Sequence, residues 1–317
     1  AHYKGLVSYW EFLNEPLWVP DFCLTQKGGY TIATYLNLLK GASAAIRKAN
    51  PAAKVIGGLA IQSELPLGDE FIKAGGLDYV DILNLHPYPG TRTPESFVSD
   101  MERIRKLMDE HGGRKPIWAT ETGYYGLDEF PLRPWQPPVD NFAANRLLAN
   151  EQQCGDYIVR LSTILLANGV EKIFWHEPET GDPNDGLEDI VNSFIAPGGL
   201  PRKSYVAMAA LANVLGKAPS FVCKWQVPAE AAGRRTDNLY GYAFACGDHS
   251  TRIAWAASPT NKKGGWAVML PRQAHAQNIA GAPLSGSRIM LSGSPVFITS
   301  TTLNPGELAR SCTLASP

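Results

Sequence analysis

Two glutamates at the ends of strand-like segments could act as a catalytic pair. Glu15 follows Tyr9–Asn14, and Glu121 follows Pro116–Thr120. A retaining glycosidase uses two carboxyl groups: one holds a proton for the leaving-group oxygen, and the other stays ionised and attacks the anomeric carbon of the sugar. The pair therefore indicates glycoside hydrolysis through a covalent intermediate, without identifying the sugar.

The composition limits the kinds of partner. The chain has 317 residues, of which 44% are hydrophobic and 19% charged, so it is long enough for one large and one small domain. Its formal net charge of −1 leaves no electrostatic footprint for nucleic acid or for an anionic membrane surface. No apolar stretch approaches the roughly 20 residues that a membrane-spanning helix needs. We expect no nucleic-acid partner and no membrane partner.

The five cysteines do not form a metal-binding pattern, because no Cys-x-x-Cys spacing occurs among them. Cys223 and Cys246 flank two strand-like runs, and one interpretation is a disulfide between them across a sheet. The other is that these cysteines stay unpaired and behave as small buried hydrophobic residues. Both interpretations stay open from the sequence.

The elements that position the two glutamates alternate between strands and helices. The predicted strands are 8–14, 54–58, 82–85, 117–120 and 172–175. The predicted helices are 30–48, 68–74, 93–111, 145–168 and 201–215. Such alternation is typical of βα units around a parallel sheet.

The spacing of the glutamates favours a barrel. A barrel of eight βα units and about 250 residues uses about 31 residues per unit, so the 106 positions from Glu15 to Glu121 are close to three units. The two side chains would lie three strands apart at the C-terminal ends of the strands, facing each other across the mouth. We predict an α/β fold of the (β/α)8 TIM-barrel type in residues 1–218.

Beyond Pro219 the pattern changes to short strands separated by turns. The predicted strands are 221–227, 239–245, 253–257, 265–270, 288–291 and 295–298. We predict a small C-terminal all-β sandwich domain over residues 219–317.

Four motifs together resemble a known clan of enzymes. Strands four, six, seven and eight of the clan A glycoside hydrolases are similar to Asn14-Glu15-Pro16, His86-Pro87-Tyr88, Thr120-Glu121-Thr122-Gly123 and Phe174-Trp175. The resemblance covers about residues 5–218. It is strongest to the β-xylosidase and α-L-iduronidase family and to the cellulase-like and glucuronidase-like families that carry a C-terminal β-sandwich. The motifs do not separate these families.

The resemblance implies roles for the two glutamates and their neighbour. Glu15 would be the general acid/base and Glu121 the nucleophile. Asn14 would hydrogen-bond the 2-hydroxyl of the sugar, an interaction that strengthens in the transition state. The apolar residues beside Glu15 suit a proton holder, because an apolar environment disfavours the charged carboxylate.

The resemblance also implies supporting residues. Tyr88 would donate a hydrogen bond to the nucleophile, and His86 would orient a polar group near the acid or the substrate. Trp175 would form an aromatic floor beneath the sugar. The resemblance implies no cofactor. Independently of the resemblance, a nucleophile must stay charged, so we expect Tyr88 and Thr120 to act as nearby hydrogen-bond donors to Glu121.

Several other residues are weaker candidates. Trp18 and Glu177, on loops after predicted strands, could contact substrate, although Trp18 could equally pack its own loop and Glu177 could simply be solvated. Glu11 is expected to neutralise an interior Arg or to accept backbone hydrogen bonds. His176-x-x-Glu179 is too weak a pattern to predict a metal site, and we predict none.

The strand count departs from the resembled clan. Only five barrel strands can be counted from Ser8 onward, whereas closure of the barrel takes eight, so a segment on the order of 100 residues would be missing. Three explanations stay open: the chain is a fragment of a longer protein, a companion chain supplies the other strands, or the five strands form an open sheet. Whether the chain is active alone is therefore open.

We predict a retaining glycoside hydrolase that cleaves β-linked glycosides or polysaccharides by double displacement. The alternative is a non-catalytic carbohydrate-binding or scaffolding protein on an incomplete barrel. A carboxyl separation of about 5 to 5.5 Å between Glu15 and Glu121 would fit the retaining mechanism, and about 6.5 to 9.5 Å would fit inversion. We expect a carbohydrate substrate and a secreted or extracytoplasmic location, with no signal peptide in the sequence itself.

Overall fold

The computed structural model of the protein describes residues 2–17, 24, 26–58, 66–126, 147–176, 194–196, 199–225, 238–257, 266–270, 273–301, 306–308 and 312. The chain divides into two compact units. Unit 1 comprises Ala1–Pro89, Ser96–Gly123 and Asn168–His176, and unit 2 comprises Gly90–Glu95, Tyr124–Ala167 and Glu177–Pro317. This division differs from the boundary expected between residues 218 and 219, which stays a prediction.

The helices and strands follow in chain order. The α-helices are α1 (Ile32–Ala49), α2 (Pro66–Lys73), α3 (Phe97–Glu110), α4 (Glu151–Ala167) and α5 (Lys203–Leu215). The first strands are β1 (Tyr9–Glu11), β2 (Lys54–Gly57), β3 (Ile82–Leu85), β4 (Ile117–Thr122), β5 (Tyr125–Gly126), β6 (Leu147–Leu148), β7 (Val170–Trp175), β8 (Ile195–Ala196) and β9 (Leu200–Pro201). The later strands are β10 (Ser220–Lys224), β11 (Leu239–Cys246), β12 (His249–Ala256), β13 (Trp266–Met269), β14 (Ala274–Asn278), β15 (Pro283–Leu284), β16 (Arg288–Leu291) and β17 (Val296–Ser300).

Unit 1 is built on a five-stranded parallel sheet with the strand order β1-β2-β3-β4-β7. The central strands β2 and β3 are almost continuously apolar and buried, as expected for a parallel sheet that is covered on both faces. The helices α1, α2 and α3 lie in the connections between successive strands. The parallel sheet of βα units predicted from the sequence is therefore confirmed.

The sheet of unit 1 is curled. Strands β1 and β4 are three strand spacings apart, which in a flat sheet would separate them by about 14 Å. Instead, the ring of Tyr9 in β1 lies 4.9 Å from that of Trp118 in β4, measured between centroids. The side chains of Glu11 and Thr120, also in β1 and β4, form a direct hydrogen bond of 2.9 Å. Closure of this curl into an eight-stranded barrel stays a prediction.

Helix α1 fixes the end of β2. Thr31 caps the helix in a reciprocal capping box with Thr34, which satisfies backbone donors at the helix start. One turn into the helix, the fully buried Tyr35 donates a 2.6 Å hydrogen bond to the carbonyl of Gly58, directly after β2. Burial raises the pKa of Tyr35 well above that of an exposed tyrosine, so its hydroxyl stays a donor.

Unit 2 contains α4, α5 and an antiparallel region. Six strands form a sheet in the order β10-β11-β12-β17-β14-β15, and β13 pairs separately with β16. Residues of both sheets, among them Ala243, Ala254, Val268 and Ile289, belong to one apolar core cluster. This region lies where the sequence predicts a β-sandwich, and the sandwich arrangement itself stays a prediction.

The disulfide differs from the pairing considered from the sequence. Cys223 bonds to Cys312, with their Cα atoms 6.4 Å apart, while Cys154 and Cys246 are buried free thiols. The interpretation that Cys223 pairs with Cys246 is wrong, because the register of β10 on β11 does not place the two residues opposite each other. Cys223 lies opposite Ala243 in that ladder, so Cys246 is three positions further along its strand.

Among the helices that the structure describes, none is both long and apolar enough to cross a membrane.

Candidate active site

The predicted site residues lie at the same edge of the parallel sheet of unit 1. Glu15 follows β1, and His86 and Tyr88 follow β3. Glu121 is the residue before the last one of β4. Because the C-terminal ends of parallel strands lie at one edge of the sheet, residues from three separate segments of the chain meet there. The register of β4 on β7 shifts between Ala119 and Thr122. Such an irregularity re-aims nearby side chains, here that of Glu121.

The segment that carries Glu15 has a strained backbone. Leu13, Glu15 and Leu17 have φ angles of +64°, +39° and +71°, in the left-handed region that residues other than glycine rarely adopt. Each such residue costs about 1–3 kcal/mol and persists only where its surroundings enforce the conformation. Directly before these residues, the backbone amide of Phe12 still donates a hydrogen bond to the carbonyl of Ile56 in β2, at 3.1 Å. The expected strand over 8–14 therefore ends early, at Glu11, because the chain turns to present Glu15.

His86 lies between the two glutamates and is almost fully buried, with 1% of its side chain exposed. Its Nδ1 is 2.7 Å from Oε1 of Glu15 and 3.5 Å from Oε2 of Glu121. Its Nε2 is 3.1 Å from the hydroxyl of Thr120. The carboxyl groups of Glu15 and Glu121 are 15% and 26% exposed, so a ligand could reach both.

Different partners surround the two carboxyl groups. The hydroxyl of Tyr88 donates a 2.9 Å hydrogen bond to Oε2 of Glu121, so the predicted hydrogen bond is present. Thr120, expected as a second donor to Glu121, donates instead to Oε1 of Glu11, at 2.9 Å. The expectation was wrong because the curl of the sheet brings Glu11 of β1 within reach of the single hydroxyl hydrogen of Thr120.

Glu11 accepts hydrogen bonds from side chains rather than from an Arg or from the backbone. Its Oε1 accepts from Thr120 and from the amide Nδ2 of Asn84 in β3. Gly58 makes room for Asn84: a Cβ at this position would lie 2.6 Å from Oδ1 of Asn84. Sequence reasoning missed Asn84, although an amide within a strand as apolar as β3 is a signal that could have found it.

The carboxyl groups of Glu15 and Glu121 are close together. One ligand atom from each of Glu15, His86 and Glu121 can be chosen so that all three atoms lie within 4.8 Å of one another. This is nearer to the separation of about 5 to 5.5 Å in retaining glycosidases than to the 6.5 to 9.5 Å of inverting ones. The same three donors are of the kind that hold a divalent cation.

The remaining predicted residues are less informative. Asn14 is exposed beside Glu15, and Trp175 is half-buried at the end of β7, opposite Thr122. Their substrate contacts stay predictions. Trp18 and Glu177 lie outside the described residues. His176, which follows Trp175, donates its backbone amide to the carbonyl of Thr122, and its ring packs edge-on against that of Tyr88 at 6.1 Å.

Comparisons with known proteins bear on the fold. No protein-family model matches the chain, and no curated protein matches its sequence. Among solved structures, a family 39 glycoside hydrolase from Bacteroides cellulosilyticus WH2 matches with a TM-score of 0.65 and 18% identity. The match covers 94% of this chain and 59% of that one. The fold is similar to that of clan A glycoside hydrolases.

Two further solved structures agree. A GH30 endoxylanase from Clostridium papyrosolvens C71 matches with a TM-score of 0.56 and 14% identity, over 93% of this chain and 66% of that one. A GH39 β-xylosidase from Caulobacter crescentus matches with a TM-score of 0.53 and 15% identity, over 92% and 66%. The chain thus spans between 59% and 66% of the length of these three structures.

Proposed function

We propose that the protein is a retaining glycoside hydrolase with Glu15 as general acid/base and Glu121 as nucleophile. The observation that carries the proposal is the close pair of carboxyl groups on either side of His86, with oxygens within 4.8 Å. Their hydrogen-bond partners differ. The hydroxyl of Tyr88 donates to Glu121, whereas Glu15 lies 2.7 Å from Nδ1 of His86.

The reaction would proceed in two steps. In the first, a carboxylate oxygen of Glu121 bonds to the anomeric carbon, the glycosidic C–O bond breaks, and the proton of Glu15 moves to the leaving oxygen. In the second, Glu15 takes a proton from water, and the oxygen of that water displaces Glu121 from the anomeric carbon. Glu15 ends protonated and Glu121 ionised, as at the start, so no cofactor is consumed.

We propose β-linked glycosides as substrates, with β-D-xylosides as the first choice. The support is fold-level: the solved neighbours include a β-xylosidase and an endoxylanase. Asn14 would contact the 2-hydroxyl of the sugar and Trp175 its apolar face, and Trp18 and Glu177 would extend the site.

Azide rescue tests both roles. Glu121→Gly should abolish hydrolysis of aryl β-D-xylosides, and added azide should restore turnover to a glycosyl azide of inverted configuration. Glu15→Ala should retain activity only on substrates with good leaving groups, and azide should then yield a product of retained configuration. Glu110→Ala, an exposed position on α3, is the control. Unchanged hydrolysis by Glu121→Gly in the full-length protein would refute the proposal.

We also propose a secreted or extracytoplasmic location. The support is the disulfide between Cys223 and Cys312, because disulfides form and persist mainly in oxidising compartments.

Finally, we propose that strands from a further segment or a companion chain complete the sheet of unit 1. Within the described residues, β1 pairs only with β2 and β7 only with β4, so both edges offer unpaired backbone groups.

A further inference from the structure

Behind the proposed acid, a line of polar side chains crosses the concave side of the curled sheet. It runs from Glu11 through Thr120 and His86 to Glu15. We propose that Glu11 and Thr120 are positioning residues that keep a hydrogen on Nε2 of His86. The contact between His86 and Glu15 must then hold the acid proton. The role of this proton in catalysis rests on the proposed function, whereas the state of His86 does not.

The line begins at a group that can only accept. An ionised carboxylate has no hydrogen to donate, so both contacts to Oε1 of Glu11 must be donated by their partners. Asn84 supplies one of these hydrogens from its amide, and the hydroxyl of Thr120 supplies the other, at 2.9 Å. Oε1 of Glu11 therefore accepts from two donors.

The direction of the next contact follows from the chemistry of a hydroxyl. Thr120 has a single hydroxyl hydrogen, and that hydrogen is directed to Glu11. Its oxygen can therefore only accept in the 3.1 Å contact with Nε2 of His86. Nε2 must carry a hydrogen, and this fixes the tautomer of a neutral His86.

The last contact then requires one more proton. With its hydrogen on Nε2, a neutral His86 presents a lone pair at Nδ1, and an ionised Glu15 at 2.7 Å would repel it. A proton must lie between them, either on Oε1 of Glu15 or on Nδ1. The opposite tautomer would behave differently, because Nδ1–H would donate to an ionised Glu15 that has no proton to give.

The other groups that face His86 do not replace Thr120. Glu121 lies 3.5 Å from the same Nδ1, and it already accepts the hydrogen of Tyr88. The ring of Tyr88 lies edge-on to that of His86, with centroids 6.3 Å apart. The contacts that the structure shows for Nε2 therefore make Thr120 the residue that decides its protonation.

Nitrogen NMR on the full-length protein labelled with 15N-histidine tests the proposal directly. In the wild type, Nε2 of His86 should give the signal of a protonated nitrogen at neutral pH. Thr120→Val has nearly the same shape but no hydroxyl, so the hydrogen should move from Nε2 to Nδ1. Thr120→Ser restores the hydroxyl and should restore the wild-type signal. An unprotonated Nε2 in the wild type, or the same signal in Thr120→Val, would overturn the proposal.

Kinetics separate this proposal from the proposed function. If Glu15 is the acid, Thr120→Val should lower kcat at least about tenfold for alkyl glycosides, whose leaving groups need protonation. The loss should be less than about threefold for 2,4-dinitrophenyl glycosides, which leave without a proton. The expected NMR change in a protein without any glycosidase activity would support the positioning role and refute the proposed function. Equal losses for both substrates would overturn the link to the acid.

Discussion

At the scale of single residues, the two glutamates are distinguished by what they touch rather than by their own sequence context. Glu121 receives a hydrogen from Tyr88, while Glu15 faces a ring nitrogen of His86. A carboxylate that accepts a hydrogen bond is stabilised in its charged form, and one that shares a proton with imidazole can release it. The chemistry of the pair therefore depends on residues that follow β3.

Removal of the hydroxyl of Tyr88 should impair Glu121, the proposed nucleophile, without disturbing the fold. Hydrogen bonds to charged groups contribute about 1.5–3 kcal/mol, so Tyr88→Phe should lower kcat/KM for aryl glycosides by about tenfold to hundredfold. The melting temperature should change little. Tyr30→Phe, at an exposed tyrosine before α1, is the matched control. Equal kinetics for the two variants would contradict the role of Tyr88.

The sequence allowed the residues of the site to be predicted better than their contacts. Glu15, His86, Tyr88 and Glu121 could be proposed because each lies at or after the end of a predicted strand. Thr120 could not be predicted as a partner of Glu11, because that contact depends on how far the sheet curls. That curvature brings residues of β1 and β4 together and leaves no mark in the pattern of either strand.

At the scale of elements, a capping residue set a helix boundary that periodicity alone placed wrongly. Helix α4 was expected from about residue 145, but it begins at Glu151, since Asn150 caps it by accepting the backbone N–H of Gln153 at 2.8 Å. Leu147–Leu148 instead pairs with Tyr125–Gly126.

Strand β14 was missed because its sequence, Ala-His-Ala-Gln-Asn, has no large apolar residue. It is stabilised by pairing with β17, which is distant in sequence.

A histidine at the start of β12, in contact with the last turn of α5, should make unit 2 sensitive to pH. His249 contacts the carbonyl of Val214 at 2.9 Å through Nε2 and Asp248 at 2.9 Å through Nδ1. The hydrogen bond with Asp248, followed by that with Val214, raises the pKa of His249, and the same pair lowers the pKa of Asp248. A raised histidine pKa stabilises the fold below about pH 6.5, and a lowered aspartate pKa does so above about pH 4.

His249→Asn should therefore destabilise the protein most between about pH 4 and 6.5. The difference from the wild type should shrink as the pH rises through the raised pKa of His249, and also as it falls through the lowered pKa of Asp248. Urea midpoints measured at pH 3, 5.5 and 8.5 test this. Because the side chain of Asp248 is almost fully exposed, the shift should also weaken in high salt. A difference that is constant across the three pH values would rule out the pair as its source.

At the scale of the whole molecule, the chain combines a candidate site with a sheet whose edge strands, β1 and β7, have no second partner strand among the described residues. Its described part holds five parallel strands, and the matched solved structures are longer by about a third or more. Tyr9 and Phe174, near these edges, are each 47% exposed, an unusual state for aromatic residues of a parallel sheet. Both observations favour additional strands, from the same polypeptide or from another, as part of the functional protein.

Expressed by itself, the 317-residue chain should self-associate, because unpaired strand edges recruit other strands. Light scattering coupled to size-exclusion chromatography should show oligomers or aggregates whose fraction rises with concentration. Activity on aryl β-D-xylosides should be low in this material and higher in a longer form of the protein. A monodisperse monomer of the chain with full activity would contradict the need for further strands.

The left-handed backbone at Leu13, Glu15 and Leu17 has a consequence for how this segment would respond to selection. In a library selected only for folding, glycine should be favoured at position 13, where it removes strain without removing a functional group, whereas the burial of Leu17, at 3% exposure, opposes it at position 17. Selection for turnover would add a requirement at position 15, where glycine relieves the backbone but deletes the carboxyl group. The residues preferred under the two selections should differ at position 15. The size of this difference would report how much stability is lost by holding a glutamate in the left-handed conformation there.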